Sequence, residues 1–127
     1  MLQYKFCFLV FVCLHLFCPD LSAQNSAVTI ETVKNLTQQS CDYLDETNYE
    51  KSLKKSGLAL KYAFDLKNDT LIARNYNIIG INFHDLGELD KAVFFYKKAL
   101  FYAEKSNIVS LKTMITSNLG NLYFFEK

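Results

Sequence analysis

The sequence predicts an all-α protein in which antiparallel helical hairpins stack as a short α-solenoid of about two and a half repeats, preceded by a signal peptide helix. Three observations lead to this prediction. Apolar residues recur at helical spacing almost throughout the chain from Ser26 onward. The 127 residues include only 4 Gly and 1 Pro, so few positions interrupt a helix. Like residues also coincide when the sequence is compared with itself at a shift of 40 positions.

The composition is that of a folded protein of one domain. Apolar residues make up 50% of the chain and charged residues 21%, which excludes a disordered chain. The net charge is +1, so no strong field attracts the chain to nucleic acid or to an anionic membrane. These values favour a folded domain that binds neither.

The N-terminus has the order of features typical of a secretory signal peptide. Lys5 is the only charge before a continuous apolar run over residues 6–14, and Pro19 then breaks the segment. Ala23 offers a small residue for cleavage. The run is shorter than the roughly 20 apolar residues that span a bilayer. We therefore predict a signal peptide over residues 1–23.

The remaining chain, residues 24–127, is predicted to be an exported domain, periplasmic or secreted, without a stable membrane span after cleavage. Two alternatives are an uncleaved N-terminal anchor and a buried helix. A lipoprotein attached through Cys18 is disfavoured, because the bulky Phe17 precedes it where a small residue is usual.

Cleavage leaves a single cysteine. Three of the four lie in the predicted signal peptide: Cys7, Cys13 and Cys18. Cys41 alone cannot form an intramolecular disulfide, so the domain has to be held together by packing. We interpret Cys41 as a small buried hydrophobe, with a reactive or pairing thiol as the alternative.

Helical periodicity and boundary residues divide the exported domain into five predicted helices. They cover residues 27–44, 49–67, 70–86, 89–105 and 108–126. Thr47 and Glu50 fit a capping box, and Asp69 and Asn107 are candidate caps for the helices that follow them. Gly87 lies just past a helix end, where a left-handed residue is favoured. The short gaps predict antiparallel neighbours.

The shift of 40 positions divides the domain into repeats over about residues 28–67 and 68–107, with a partial repeat over 108–127. It places like residues on like at several positions: Gly80 on Gly120, Ala59 on Ala99, Leu60 on Leu100, Tyr62 on Tyr102, and Ala63 on Ala103. The first copy matches least well, having Ser40, Ser52 and Ser56 where the second has Gly80, Ala92 and Tyr96. Terminal repeats are often atypical because one neighbour is missing.

Small residues predict a close helix crossing within the second repeat. A Gly inside a helix costs about 1 kcal/mol relative to Ala, so Gly80 needs a compensating contact. Close approach of the partner helix provides one, with Ala92 and Ala99 as the matching small residues. Phe83 and Tyr96 would fill the space beside the crossing.

These residues resemble the tetratricopeptide repeat. The matching positions in type and spacing are Tyr76, Ile79, Gly80, Phe83, Gly87, Ala92, Tyr96 and Ala99. Gly120 and Tyr123 fall on the same packing positions in the partial repeat. The period of 40 departs from the family's usual period of about 34 and also suits HEAT-like pairs. The chain looks similar to long-period variants found in bacterial exported sensor and regulator proteins.

The resemblance implies a right-handed solenoid whose first helices line a concave groove for a protein or peptide ligand. By that comparison the groove residues are Arg74, Asn77, Ile81 and His84, followed by Ser117 and Asn121. The lysine and asparagine pattern with which some family members clamp a peptide carboxylate is not convincingly present. The resemblance therefore implies peptide binding without naming the ligand.

The sequence offers no catalytic, cofactor-binding or metal-binding constellation. His84 is the only histidine left after cleavage, and we interpret it as a solvated turn residue. A metal site needs several ligands, and His84 and Cys41 lie in different repeats. We interpret two clusters of charged residues as solvated surface. The acidic cluster consists of Asp42, Asp45, Glu46 and Glu50, and the basic cluster consists of Lys51, Lys54, Lys55 and Lys61. We predict a binding protein and not an enzyme.

The sequence supports two hypotheses about function. The first is an exported, non-catalytic scaffold for protein–protein interaction. The alternative is the truncated N-terminal sensory region of a histidine kinase or transcriptional regulator that contains such repeats. Residues 122–125 are four apolar residues in succession, so we also expect self-association through the C-terminal helix, unless this helix packs as a lone cap.

Overall fold

The helical periodicity of the sequence appears in the structure as five α-helices. The computed structural model describes residues 27–125, and the predicted signal peptide lies outside them. The helices are α1 (Ile30–Asp45), α2 (Tyr49–Asp65), α3 (Asp69–Asp85), α4 (Leu89–Ser106) and α5 (Val109–Phe125). Within the described residues there is no β-strand. The prediction of an all-α fold is confirmed, and each helix lies within a few residues of its predicted bounds.

Helix α3 is the centre of the packing. Each helix packs against the next one in the chain, and α3 also contacts α1 and α5. Nine of its residues are buried: Leu71, Ile72, Ala73, Asn75, Asn77, Ile78, Ile79, Gly80 and Asn82. A helix that is apolar on most sides is suited to such a position, because it meets neighbours on several faces.

The turns after α1, α2 and α3 share one geometry. Gly87 has a φ of +75°, which confirms its predicted left-handed conformation. Its N–H donates to the carbonyl oxygen of His84 at 2.9 Å, and Glu88 N–H donates to that of Phe83 at 2.8 Å. This is the Schellman arrangement, which satisfies carbonyls at a helix end. The turns after α1 and α2 repeat it with Thr47 (φ +56°) and Lys67 (φ +51°).

Two predicted N-caps, Thr47 and Asp69, are wrong by one position. The third, Asn107, belongs to the end of the preceding helix. Asn48, and not Thr47, caps α2 by accepting from Lys51 N–H. Asn68 likewise caps α3, so that Asp69 is the first helical residue.

Asn107 ends α4 as a left-handed C-cap with a φ of +58°, and does not cap α5 as expected. At Thr47 and Asn107 the reason is the same: a left-handed residue that closes the preceding helix occupies the position expected to cap the next one. In the turn before α3 the left-handed residue is Lys67, and Asn68 caps the helix one position before the expected Asp69.

Thr47 is the least favourable residue type at these turns. A β-branched residue with positive φ is a genuine outlier, and the Thr47 side chain is exposed. We expect Thr47→Gly to raise the free energy of unfolding by about 1 kcal/mol, since Gly adopts this conformation without strain. Urea unfolding measures the change. Thr47→Ala is the control: it keeps a Cβ and should gain much less, and an equal gain would show that strain at Thr47 is not the cause.

The second helices of the two hairpins, α2 and α4, bury equivalent positions. From 51 to 66 and from 91 to 106 the sequence of buried, half-buried and exposed residues is identical. In the second hairpin a Cβ on Gly80 would lie 2.7 Å from the Tyr96 ring, so the helices approach as closely as the glycine allows. Ala92 and Ala99 are fully buried beside this crossing.

The first hairpin makes the equivalent crossing with hydroxyl groups. Ser40 Oγ donates to the carbonyl oxygen of Ser52 at 2.8 Å, and Ser52 Oγ donates to that of Ser40 at 2.9 Å. Ser56 Oγ donates back to Ser52 O within its own helix. All three serines are fully buried. The poorer match of the first copy therefore reflects a polar version of the same crossing.

Three buried asparagines connect α3 to three different helices. Asn75 is 3.0 Å from Thr37 on α1, Asn77 is 3.0 Å from Asn118 on α5, and Asn82 Nδ2 donates to Ser52 Oγ on α2 at 2.9 Å. Directional bonds between buried polar groups fix the register of neighbouring helices more strictly than apolar packing does.

Two residues expected to pack in the partial repeat do not. Gly120 is exposed, and a Cβ there would meet nothing within 4 Å. The Tyr123 side chain is 48% exposed. Helix α5 packs instead through its buried residues Leu111, Ile115 and Leu122. The matches at a shift of 40 identified equivalent sequence positions, but α5 has no second helix beside Gly120 within the described residues.

Candidate functional site

A groove lies between α1 and α3, two of the odd-numbered helices that contact each other. Its volume is about 560 Å³. It is lined by Ile30, Lys34, Thr37 and Gln38 from α1 and its start, and by Asn68, Thr70, Leu71 and Arg74 from α3 and its cap. We refer to it as the α1–α3 groove.

The floor of the groove is held by a hydrogen-bonded pair. Asn75 Nδ2 donates to Thr37 Oγ1 at 3.0 Å and to the carbonyl oxygen of Leu71 at 2.9 Å. The Thr37 hydroxyl lies 2.8 Å from the carbonyl oxygen of Val33. Because Asn75 and Val33 are fully buried, these contacts fix the spacing of α1 and α3.

The rim of the groove is cationic. Lys34 and Arg74 are both exposed, and they occupy equivalent positions at a shift of 40 residues. Neither makes an ion pair within the part of the chain that the structure describes. Guanidinium and ammonium groups beside the Gln38 amide can bind carboxylates.

Cys41 lies further along the same face of α1, and is half-buried. Burial raises the pKa of its thiol, Asp45 and Asp42 raise it further, and Arg74 partly opposes them. The thiol therefore stays protonated at neutral pH, which makes it a poor nucleophile.

The predicted groove residues fall in different environments. Arg74 lines the α1–α3 groove, and Ile81 and His84 are half-buried further along α3. Ser117 and Asn121 are exposed on α5.

Asn77 does not face a ligand site as expected. Its side chain is 3% exposed, and its Oδ1 accepts from Asn118 Nδ2. The residue is used in packing α3 against α5, because the two helices approach at that position. The amide that seemed available for a peptide is therefore occupied within the fold.

Sequence reasoning missed the contribution of α1 to the groove, notably Lys34, Thr37 and Gln38. The signal was present, since a shift of 40 places Lys34 on Arg74. The first repeat matches the second poorly at other positions, and this conceals the equivalence of Lys34 and Arg74.

The described residues include no group of three His, Cys, Asp or Glu side chains that could hold a metal ion. Within residues 27–125 no helix combines the length and the apolar character needed to cross a membrane. No family model, curated protein or solved structure matches the chain.

Proposed function

We propose that this protein is an exported, non-catalytic scaffold of the tetratricopeptide type that binds a protein or peptide segment in the α1–α3 groove. The observation that carries the proposal is the groove itself, with two equivalent cations on successive odd-numbered helices, Lys34 and Arg74. Export rests on the features of residues 1–23.

The contacts between helices support a solenoid arrangement. The odd-numbered helices contact one another in order, α1 with α3 and α3 with α5. The identical burial of residues 51–66 and 91–106 supports two structurally equivalent repeats. In such an arrangement the odd-numbered helices line one continuous surface, on which an extended segment can lie.

The side chains around the groove favour an acidic ligand. Lys34 and Arg74 supply positive charge. Thr70 adds a hydroxyl group, and Gln38 adds an amide whose Nε2 already donates to Asp42 Oδ1 at 2.9 Å. Ile30, which is 49% exposed, provides apolar surface for a ligand side chain. The groove thus suits an extended peptide with at least one carboxylate and one small apolar residue.

Selection from a random peptide display library on the purified domain tests this proposal. We expect enrichment of peptides that contain Asp or Glu, and at least about tenfold weaker binding of these peptides to Lys34→Glu/Arg74→Glu. Binding is measured with synthetic copies by fluorescence anisotropy.

Lys54→Glu/Lys61→Glu is the matched control, because it makes the same change in net charge at exposed positions on α2, away from the groove. It should bind the selected peptides as the wild type does. Equal weakening by both variants, or selected peptides without acidic residues, would contradict the groove as the binding site.

A further inference from the structure

A second exposed surface lies on α4 and combines aromatic rings with lysines. It consists of Phe94, Lys97, Lys98 and Phe101, with Tyr102 at its base, and we call it the α4 face. These residues line a cleft of about 390 Å³. Phe94 is 54% and Phe101 56% exposed, which is unusual for phenylalanine. The two lie two helical turns apart on one side of the helix, with the lysines between them.

The fold does not require phenylalanine at these positions. The equivalent residues of the first repeat are Lys54 and Lys61, at the same exposed places on α2. Since residues 51–66 and 91–106 share the same order of buried, half-buried and exposed positions, α2 and α4 pack in the same orientation with either residue type. The exposed rings of Phe94 and Phe101 are therefore a property of the second repeat alone, and contiguous exposed apolar surface marks interaction sites.

A layer of contacting rings supports the α4 face from below. Phe94 packs edge-on against Phe95 with ring centroids 5.2 Å apart, and Phe101 packs edge-on against Tyr102 at 5.1 Å. Tyr102 in turn stacks on Tyr76 of α3 at 5.9 Å. This support limits the movement of the exposed rings, which reduces the entropy lost when a partner binds.

The charges around the α4 face are positive and partly unpaired. Lys98 Nζ lies 5.5 Å from the centroid of the Phe94 ring. Lys97 and Lys98 make no ion pair among the described residues, whereas Lys91 pairs with Glu88 and Lys105 with Asp69. The cleft therefore offers two apolar rings and two free ammonium groups within one short stretch of helix.

We propose that the α4 face binds an acidic amphipathic helix of a protein partner. Apolar residues on such a helix would contact Phe94 and Phe101, and Glu or Asp beside them would pair with Lys97 and Lys98. A protein helix fits better than a polyanion or a membrane. Two lysines without an ion pair, on a chain of net charge +1, give little attraction to nucleic acid or to an anionic membrane.

The probe is a synthetic helix of about five turns with Leu along one face and Glu elsewhere, blocked at both ends. A peptide with Lys in place of Glu and a scrambled acidic peptide are the comparison ligands. We expect the acidic helix to bind the domain and the comparison ligands to bind at least about tenfold more weakly, as measured by fluorescence anisotropy. Vesicles containing phosphatidylserine and a single-stranded oligothymidine are tested in parallel.

Phe94→Lys/Phe101→Lys installs the residues of the first repeat. This variant should keep its melting temperature within about 3 °C and lose binding of the acidic helix. Lys97→Glu/Lys98→Glu should reverse the preference, binding the Lys peptide in place of the Glu peptide. Lys34→Glu/Arg74→Glu should still bind the acidic helix, which separates this proposal from the groove.

Two results would overturn the proposal. One is an unchanged affinity of Phe94→Lys/Phe101→Lys for the acidic helix. The other is binding that depends on Phe94 and Phe101 only for vesicles or for the oligonucleotide, which would assign the surface to a membrane or to nucleic acid.

Discussion

Replacing Gly80 with Leu should lower the free energy of unfolding by about 1–3 kcal/mol or more. A Cβ at this position would already lie 2.7 Å from the Tyr96 ring, well inside van der Waals contact. Tyr96 is only 1% exposed, so its ring cannot move without displacing the residues packed around it. Burial also raises the pKa of Tyr96 to about 12, which is consistent with an enclosed ring. Thermal unfolding measures the loss, and each kcal/mol corresponds to about 4–8 °C.

Gly120→Leu is the matched control for this experiment. Gly120 follows Gly80 by 40 residues but is exposed, with nothing within 4 Å of a Cβ. Leu is a better helix former than Gly, so this variant should gain up to about 1 kcal/mol. Opposite signs for the two substitutions would verify the close crossing at Gly80. A raised melting temperature for Gly80→Leu would show that α3 and α4 do not approach as described.

Replacing Ser52 with Ala should destabilise the protein by about 1–3 kcal/mol. The substitution removes the hydroxyl that donates to Ser40 O and accepts from Asn82 Nδ2. Both partners are fully buried, so they cannot bond to solvent instead. Urea unfolding gives the change in free energy.

The double variant Ser52→Ala/Asn82→Leu should recover most of that loss. It reproduces the contact between α4 of the second repeat and α5 of the partial repeat, where Ala92 and Leu122 occupy the equivalent positions in one buried apolar cluster. It also removes Asn82 Oδ1, which is buried and has no hydrogen-bond partner within the described residues. Replacing a buried polar pair that lacks some of its hydrogen bonds with two apolar residues often leaves the free energy of unfolding unchanged or raises it.

A four-member cycle of wild type, both single variants and the double variant measures the coupling between Ser52 and Asn82. Ser117→Ala is the control for loss of a hydroxyl, because Ser117 is exposed and donates only within its own helix. It should change the free energy of unfolding by less than about 0.5 kcal/mol. A double variant less stable than Ser52→Ala would contradict the equivalence of the α2–α3 and α4–α5 contacts.

Much of the fold was predictable because two signals in the sequence are strong. The periodicity of apolar residues identified all five helices, and Gly80 with Ala92 identified the closest crossing. The cap positions were not predictable from residue type alone. Thr47 and Lys67 adopt left-handed conformations that their side chains disfavour, and only the length of the turn and the packing of the helices impose them.

The candidate site was predictable only in part. Arg74 lies in the groove as expected, but Asn77 is buried, because a polar residue on a helix can be used either for a ligand or for a neighbouring helix. Lys34 was missed because a degenerate repeat conceals its equivalence to Arg74. Phe94 and Phe101 were missed for another reason: phenylalanines at helical spacing resemble core residues until burial shows otherwise.

The packing order of the helices has a consequence for how the chain acquires its structure. Among the described residues, each helix contacts only helices that are its neighbours or next neighbours in the chain. The side-chain hydrogen bond that joins the residues farthest apart in sequence, Asn77 and Asn118, spans 41 residues. The contact order is therefore low, and little loop-closure entropy opposes each step of folding. Helix α3 can assemble with α1 and α2 as soon as residues up to Asp85 are available. The chain is thus suited to fold progressively from its N-terminal side, without waiting for its last helix.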